Sequence, residues 1–217
     1  MIEATEDQLR EQIIQVMWDM DARGLNRGTS GNVSARCGDA MLVTPTGVAP
    51  NMLQAEHIVR IDSEGGFDPA GLRPSSEWGM HQRLLEQRKD VNAVVHCHSR
   101  HATILACAGR EIPSMHYMVA LSGGMIIPVA PYETFGSNEL ADVVIQTLDG
   151  RYATLMANHG QVAIAPSLKQ ALIIAEEVEE QAAVYWGTLA IGGPKLLSED
   201  EMARILELFK SYGQQSE

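Results

Sequence analysis

The chain has 217 residues, 45% of them hydrophobic, which is enough for one well-buried core, and residues 1–217 are read as one domain. A formal net charge of −12 leaves no broad basic surface, so nucleic acid is excluded as a partner and an anionic ligand must be captured locally. The acidic start MIEATEDQLREQ lacks a secretory pattern, the apolar run 118–131 is broken by Ser122, Gly123, Gly124 and Pro128, and Cys37, Cys97 and Cys107 form no CxxC pair; a soluble cytoplasmic protein without membrane attachment is expected.

In chain order, Leu9, Ile13, Met17 and Met20 recur at helical spacing and predict an amphipathic helix over 5–23, stopped at Gly24. The segments GTSGNVSAR and TPTGV surround the apolar stretch 41–43 and predict strands joined by tight turns. A helix is expected over 76–87 after Pro74, with Glu77 in its first turn. Residues 93–98 read as a buried strand, 99–109 as a helix, 137–148 as a helix and 153–157 as a second buried strand. A long helix over 167–191 follows, and Ser198-Glu-Asp-Glu201 predicts a capping box opening a last helix that reaches Tyr212. Strands alternating with helices predict an α/β layered fold with helices covering a central sheet.

His96 and His98 are two residues apart in the expected strand, so its two-residue period puts both imidazoles on one face. His159 follows the second buried strand and precedes Gly160, where a third imidazole can converge. Three neutral histidines with an open position suit Zn²⁺ as a Lewis acid, and Mn²⁺, Co²⁺ or Fe²⁺ tolerate the same set. Cys97 must point the opposite way and is read as core, His101 is left out of the metal set, and His57 and His81 are read as surface or packing residues.

Glu77 has a bland reading as a carboxylate favoured by a helix N-terminus. With Ser75 and Ser76 before it, however, the turn offers two hydroxyls and free helix N–H groups to an anion. The loops 28–32, including Gly31 and Asn32, and 44–47, including Thr46 and Gly47, offer the same neutral chemistry. Neither loop matches a nucleotide-binding fingerprint.

The ordered segments GLNRGTSGNVSAR, TPTGV, PSSEW, VVHCHSRHAT, IPSMHYM, APYETFGSNEL and NHG, spread over nearly the whole chain, resemble the class II aldolase/adducin-head family. The resemblance implies a central, mainly antiparallel nine-stranded sheet flanked by helices, and a homotetramer with active sites between subunits. It implies metal-dependent cleavage of a ketose 1-phosphate to dihydroxyacetone phosphate and an aldehyde. His96, His98 and His159 correspond to its zinc ligands, and Glu77 to a carboxylate that binds zinc in the empty site and acts as acid/base when substrate enters. Gly31, Asn32, Thr46, Gly47, Ser75 and Ser76 match its phosphate-binding loops, Tyr117 a tyrosine from a neighbouring subunit, and Tyr212 a C-terminal tyrosine closing over the site. Rival readings on the same fold are a 4-epimerase, whose relatives resemble one another in having aspartate at position 77, a methylthioribulose-1-phosphate dehydratase, and a non-catalytic adducin-like module. Apolar residues of 115–118 and 121–127 are expected to form the aldehyde pocket. This favours 5-deoxyribulose 1-phosphate or 5-methylthioribulose 1-phosphate, with L-fuculose 1-phosphate also a candidate.

Overall fold

The computed structural model describes residues 4–210. Helix α1 (Glu6–Ala22) opens at Thr5, whose Oγ1 accepts the Gln8 amide while Gln8 Oε1 accepts the Thr5 amide. This reciprocal cap satisfies two donors that lack partners inside the helix. Strands β1 (Asn32–Cys37), β2 (Ala40–Val43) and β3 (Val59–Ile61) then form an antiparallel meander. Helix α2 (Trp78–Gln87), strand β4 (Ala93–Cys97) and helix α3 (Arg100–Cys107) follow. The remaining elements are β5 (Val129–Ala130), α4 (Asn138–Thr147), β6 (Ala153–Met156), β7 (Gly160–Ala165), α5 (Leu168–Leu189) and α6 (Glu199–Phe209).

The strands form one sheet in the order β3-β2-β1-β4-β7-β6-β5, so β4 has three strands on either side. The expected nine strands are therefore seven among the described residues. The sheet is also mixed: β5 and β6 pair in parallel, the other neighbouring strands antiparallel. The physical reasons are local. The chain reaches β6 from β5 through α4, a crossover that returns the strand in the same direction. Two further extended segments meet only at single bridges, Pro45 with Pro74 and Ile112 with Ile127. Proline has no N–H to extend such a ladder.

Alternation along the strands makes two cores. Ala93, Val95 and Cys97 of β4 face a cluster built with Ile13 and Met20 of α1, Leu105 of α3 and Ala175 of α5. Val94 faces the other side, with Met80 and Leu84 of α2 and Leu140 and Val144 of α4. Burying one such Leu, Ile or Val side chain contributes about 1.5–3 kcal/mol, so these two interfaces fix the sheet and with it the site on β4. The capping box expected at α6 is half made. Ser198 Oγ accepts the Glu201 amide at 3.2 Å, but the Glu201 carboxylate turns to Arg204 at 3.0 Å instead of reaching back. Among the described residues, no helix is long and apolar enough to cross a membrane.

Candidate metal centre and anion cleft

His96 lies on the central strand, on the side facing α2, and is fully buried. Its Nδ1 is 2.8 Å from the Gln161 carbonyl oxygen. A carbonyl only accepts, so Nδ1 carries the proton and Nε2 presents its lone pair to the site. His98 stands one residue beyond the end of β4 rather than inside it, yet its Nε2 is 3.0 Å from that of His96. His159 occupies the turn between β6 and β7, after Asn158 in the left-handed region at φ 56°. Gly160 lets this turn close on the HxH segment: a Cβ there would lie 2.5 Å from the Cys97 carbonyl oxygen and 2.9 Å from the His98 ring. The three rings form a near-equilateral triangle with centroids 4.8, 4.8 and 4.9 Å apart, and the candidate ligand nitrogens all lie within 4.8 Å of one another.

Glu77 is the residue capping α2, not part of its first turn. Its backbone (φ −103°, ψ 10°) is not helical, and its amide donates to Ser75 Oγ at 3.3 Å. The buried carboxylate aims its Oε2 at His96 Nε2 (3.2 Å) and its Oε1 at His159 Nε2 (3.4 Å). Asn32, directly across the β1–β4 ladder from His96, donates its Nδ2 to Glu77 Oε2 at 3.0 Å. Glu77 Oε1 is buried with no hydrogen-bond partner. Lone pairs from His96, His98, His159 and Glu77 thus converge on one point, and such a set is satisfied by a divalent cation among them. The three histidines are a group that could hold a metal.

The electrostatics fit that chemistry. Burial raises the Glu77 carboxyl, but the charge and hydrogen bond of His96, with His159 and Asn32, outweigh it and hold the group well below the usual carboxylate range. Burial, then the charge of His96, pushes His98 and His159 down to about 4, so both stay neutral near pH 7 as metal ligands must. Burial acts the same way on His96, but its carboxylate neighbour Glu77 prevails and raises it. Cys97 is buried in the opposite core, where desolvation pushes its thiol up to about 12; it is not part of the site.

A cleft of about 340 Å³ opens onto this centre. It is lined by Thr29, Ser30, Gly31, Asn32, Thr46, Gly47, Ser75 and Ser76, by Glu77, His98, Asn158 and His159, and by Tyr132, Glu133 and Phe135. Every candidate residue of the neutral anion cradle therefore reaches the same cleft as the candidate metal centre, and among the described residues no lysine or arginine lines it. The turns are tied together at the Pro45–Pro74 bridge, where Thr46 N donates to Arg73 O and Ser75 N to Thr44 O, each at 3.0 Å. Gly31 is required by space as well as by its φ of 76°, since a Cβ would overlap the Asn26 side chain.

Tyr117 is not brought into this cleft. It is half-exposed and stacks on His116 at 4.8 Å, near Phe209. Tyr212 lies outside the described residues. Met115, Leu121 and Met125 pack against the α1/α3/α5 core and Ile127 is buried in it, so the apolar segment 115–127 does not line this cleft; Tyr132 and Phe135 do. His101 bonds Glu179 (Nδ1 to Oε1, 2.8 Å) and stays apart from the metal set. His81 is fully buried with Nδ1 2.7 Å from Ser34 Oγ, and burial drives it down to about 3. Sequence reasoning gave no role to Asn158, Gly160 or the Gln161 carbonyl, which act through backbone geometry, nor to Glu133, although its segment APYETFG was a visible motif.

Residues 11–186 match the family described as Class II Aldolase and Adducin N-terminal domain. The chain is 47% identical over 205 residues to a 5-methylthioribulose-1-phosphate/5-deoxyribulose-1-phosphate aldolase of Rhodospirillum rubrum, covering 94% of this chain and 92% of that protein. It is 47% identical over 208 residues to an L-fuculose phosphate aldolase of Escherichia coli, covering 95% and 96%. Among solved structures, an L-fuculose 1-phosphate aldolase superposes with a TM-score of 0.90 at 36% identity, covering 93% of this chain and 96% of that one.

Proposed function

Because the chain belongs to the Class II aldolase and adducin N-terminal domain family, we propose that it cleaves a ketose 1-phosphate by a metal-dependent retro-aldol reaction, releasing dihydroxyacetone phosphate and an aldehyde. The observation that carries this reading is Glu77, wedged between His96 and His159 at 3.2 and 3.4 Å in the cleft that also holds the neutral cradle. His96, His98 and His159 would hold Zn²⁺, with Mn²⁺, Co²⁺ and Fe²⁺ as tolerated substitutes. When bound, the cation supplies the positive charge that stabilises the negative charge left on the substrate oxygens as the C3–C4 bond breaks.

The chain's own residues do the rest. Gly31, Asn32, Thr46, Gly47, Ser75 and Ser76 grip the phosphate through hydroxyls, amides and the N-terminus of α2, which fixes the sugar without adding positive charge. The proton that the C4 hydroxyl gives up as the aldehyde forms is returned to C3 of the dihydroxyacetone phosphate fragment by way of Glu77, which is ionised in the empty site and gains its proton within the reaction, so the reaction is proton-neutral. Tyr117 lies outside its own chain's cleft, which supports a homotetramer with active sites between subunits, where Tyr117 of the partner subunit takes the C4 proton. Tyr212 would close over the same site from the C-terminus. The whole chain acts as one catalytic domain in the cytoplasm.

The aldehyde end is read from Tyr132 and Phe135, whose rings suit a methyl or thioether group. This favours 5-deoxyribulose 1-phosphate and 5-methylthioribulose 1-phosphate over L-fuculose 1-phosphate. A coupled assay for dihydroxyacetone phosphate across these three sugars, with and without a chelator, tests the proposal. Chelator-sensitive product from one of them is the expected result; disappearance of sugar without dihydroxyacetone phosphate would overturn it in favour of an epimerase or dehydratase.

A further inference from the structure

The cleft contains one charged side chain that the proposed reaction does not use. Glu133 lines it between Tyr132 and Phe135, and among the described residues its carboxylate makes no hydrogen bond or ion pair. Its place is fixed from the C-terminal side. Gly136 is left-handed at φ 74°, and a Cβ there would come within 2.7 Å of the Ser76 carbonyl oxygen, so this loop lies directly against the anion cradle. Immediately afterwards Ser137 Oγ accepts the Leu140 amide at 3.1 Å and anchors the loop to α4.

We propose that Glu133 is a specificity-determining residue that excludes a second anionic group, restricting the cleft to sugars with one phosphate and an uncharged far end. The inference rests on the retro-aldol reading for what the cleft binds. A single phosphate is served by the neutral donors around Ser75 and Ser76. A second anion on the same sugar must occupy the rest of a cleft of about 340 Å³, where, among the described residues, Glu133 has no partner and no lysine or arginine offers compensation. Like unit charges about 8 Å apart, at the effective dielectric of a partly exposed site, weaken binding on the order of tenfold. Glu133 thus selects by repulsion, whereas the aromatic pair beside it attracts an apolar end.

The test is calorimetric binding to the zinc-loaded full-length protein of two sugars differing by one phosphate, D-fructose 1-phosphate and D-fructose 1,6-bisphosphate. The wild-type protein should prefer the monophosphate. Glu133→Gln should shift the ratio of the two dissociation constants towards the bisphosphate by roughly tenfold, and Glu133→Lys should shift it further. About 0.5 M salt should narrow the wild-type ratio and leave that of Glu133→Gln nearly unmoved. A ratio altered less than twofold by both substitutions, or failure of D-fructose 1-phosphate to bind the wild-type protein, overturns the proposal. Dihydroxyacetone phosphate release from the three candidate ketose 1-phosphates, measured on the same preparation, reports the retro-aldol reading separately.

Discussion

Glu77 Oε2 lies 3.2 Å from His96 Nε2, while the ring's other nitrogen, Nδ1, bonds the Gln161 carbonyl. With the ring's proton committed to Nδ1, the lone pair of Nε2 and a carboxylate oxygen face one another across a gap that a cation could fill. In the proposed reaction the same carboxylate also hands over a proton, so metal binding and proton transfer are separable by substitution. Glu77→Gln keeps the shape and the Asn32 contact side but loses the charge. It should retain metal, measured by elemental analysis after dialysis, while kcat falls on the order of 10²–10⁴-fold. Unchanged turnover at full metal occupancy would remove Glu77 from the chemistry.

The three imidazoles should bind as a set. His159→Ala removes one vertex of the triangle and leaves the other two rings with the carboxylate. Its metal dissociation constant, from chelator competition, should rise at least tenfold. Wild-type protein stripped with the same chelator should lose activity and regain it on adding Zn²⁺. Tight binding by His159→Ala equal to the wild type would sink this.

Gly160→Ala tests the fit of the β6–β7 turn against the HxH segment. The new methyl would meet the Cys97 carbonyl oxygen at 2.5 Å and the His98 ring at 2.9 Å. Overpacking of this kind costs about 1–3 kcal/mol. The urea midpoint should drop, and metal affinity should weaken with it because His98 must move. An unaffected midpoint would show that the turn relaxes freely.

The cradle should act on substrate capture more than on bond breaking. Ser76→Asp places a fixed negative charge in the cleft where a phosphate is expected. KM for the preferred ketose 1-phosphate should rise roughly tenfold or more, with a smaller change in kcat. A rise in KM equally large for a phosphate-free sugar analogue would refute the assignment.

Acid should weaken the metal-free protein before its carboxylates protonate. Burial holds His81 at about 3, and His98 and His159 at about 4. Below about pH 6.5 the unfolded chain takes up protons at these three residues that the folded chain refuses. Stability is therefore lost as pH falls from 6.5 towards 4. His96 opposes this: raised by Glu77, it favours the folded state at low pH, and that gain disappears as pH rises through its folded value. Glu77, held low, contributes above the usual carboxylate range and loses that contribution as pH falls. With three groups against one in this window, the urea midpoint of chelated protein should be lower at pH 5 than at pH 7.5. A flat or inverted dependence would contradict the burial described for these rings.

The metal set was legible in the sequence because the HxH spacing at 96–98 and the NHG following a second apolar run are short-range patterns, readable before any tertiary neighbour is known. The neutral loops around Asn32, Thr46 and Ser75 were equally visible, since glycine and hydroxyl residues mark backbone-exposing turns whatever their tertiary setting. Their meeting in one cleft was not, because it depends on which strands are neighbours, and periodicity carries no strand order. His98 illustrates the limit: two-residue alternation placed it in the strand, while the chain leaves β4 at Cys97 and still delivers the ring. The strand count failed for a related reason. Extended segments at Pro45, Pro74, Ile112 and Ile127 exist, but each finds only one bridging partner. Of the segment read as an aldehyde pocket, Met115, Leu121, Met125 and Ile127 pack in or against the core, and hydrophobicity alone does not distinguish those two destinations.

The middle place of β4, flanked by three strands on each side, has a consequence for how the protein would lose a bound metal. Backbone amides of a central strand exchange with solvent only when the whole sheet opens, whereas edge strands and terminal turns fray independently. His96 is therefore anchored to the central strand, while His159 sits in the turn between β6 and β7, outside the strand ladder. Escape of the ion should begin with His159 letting go, and hydrogen–deuterium exchange around 157–160 should respond to metal long before the amides of β4 do.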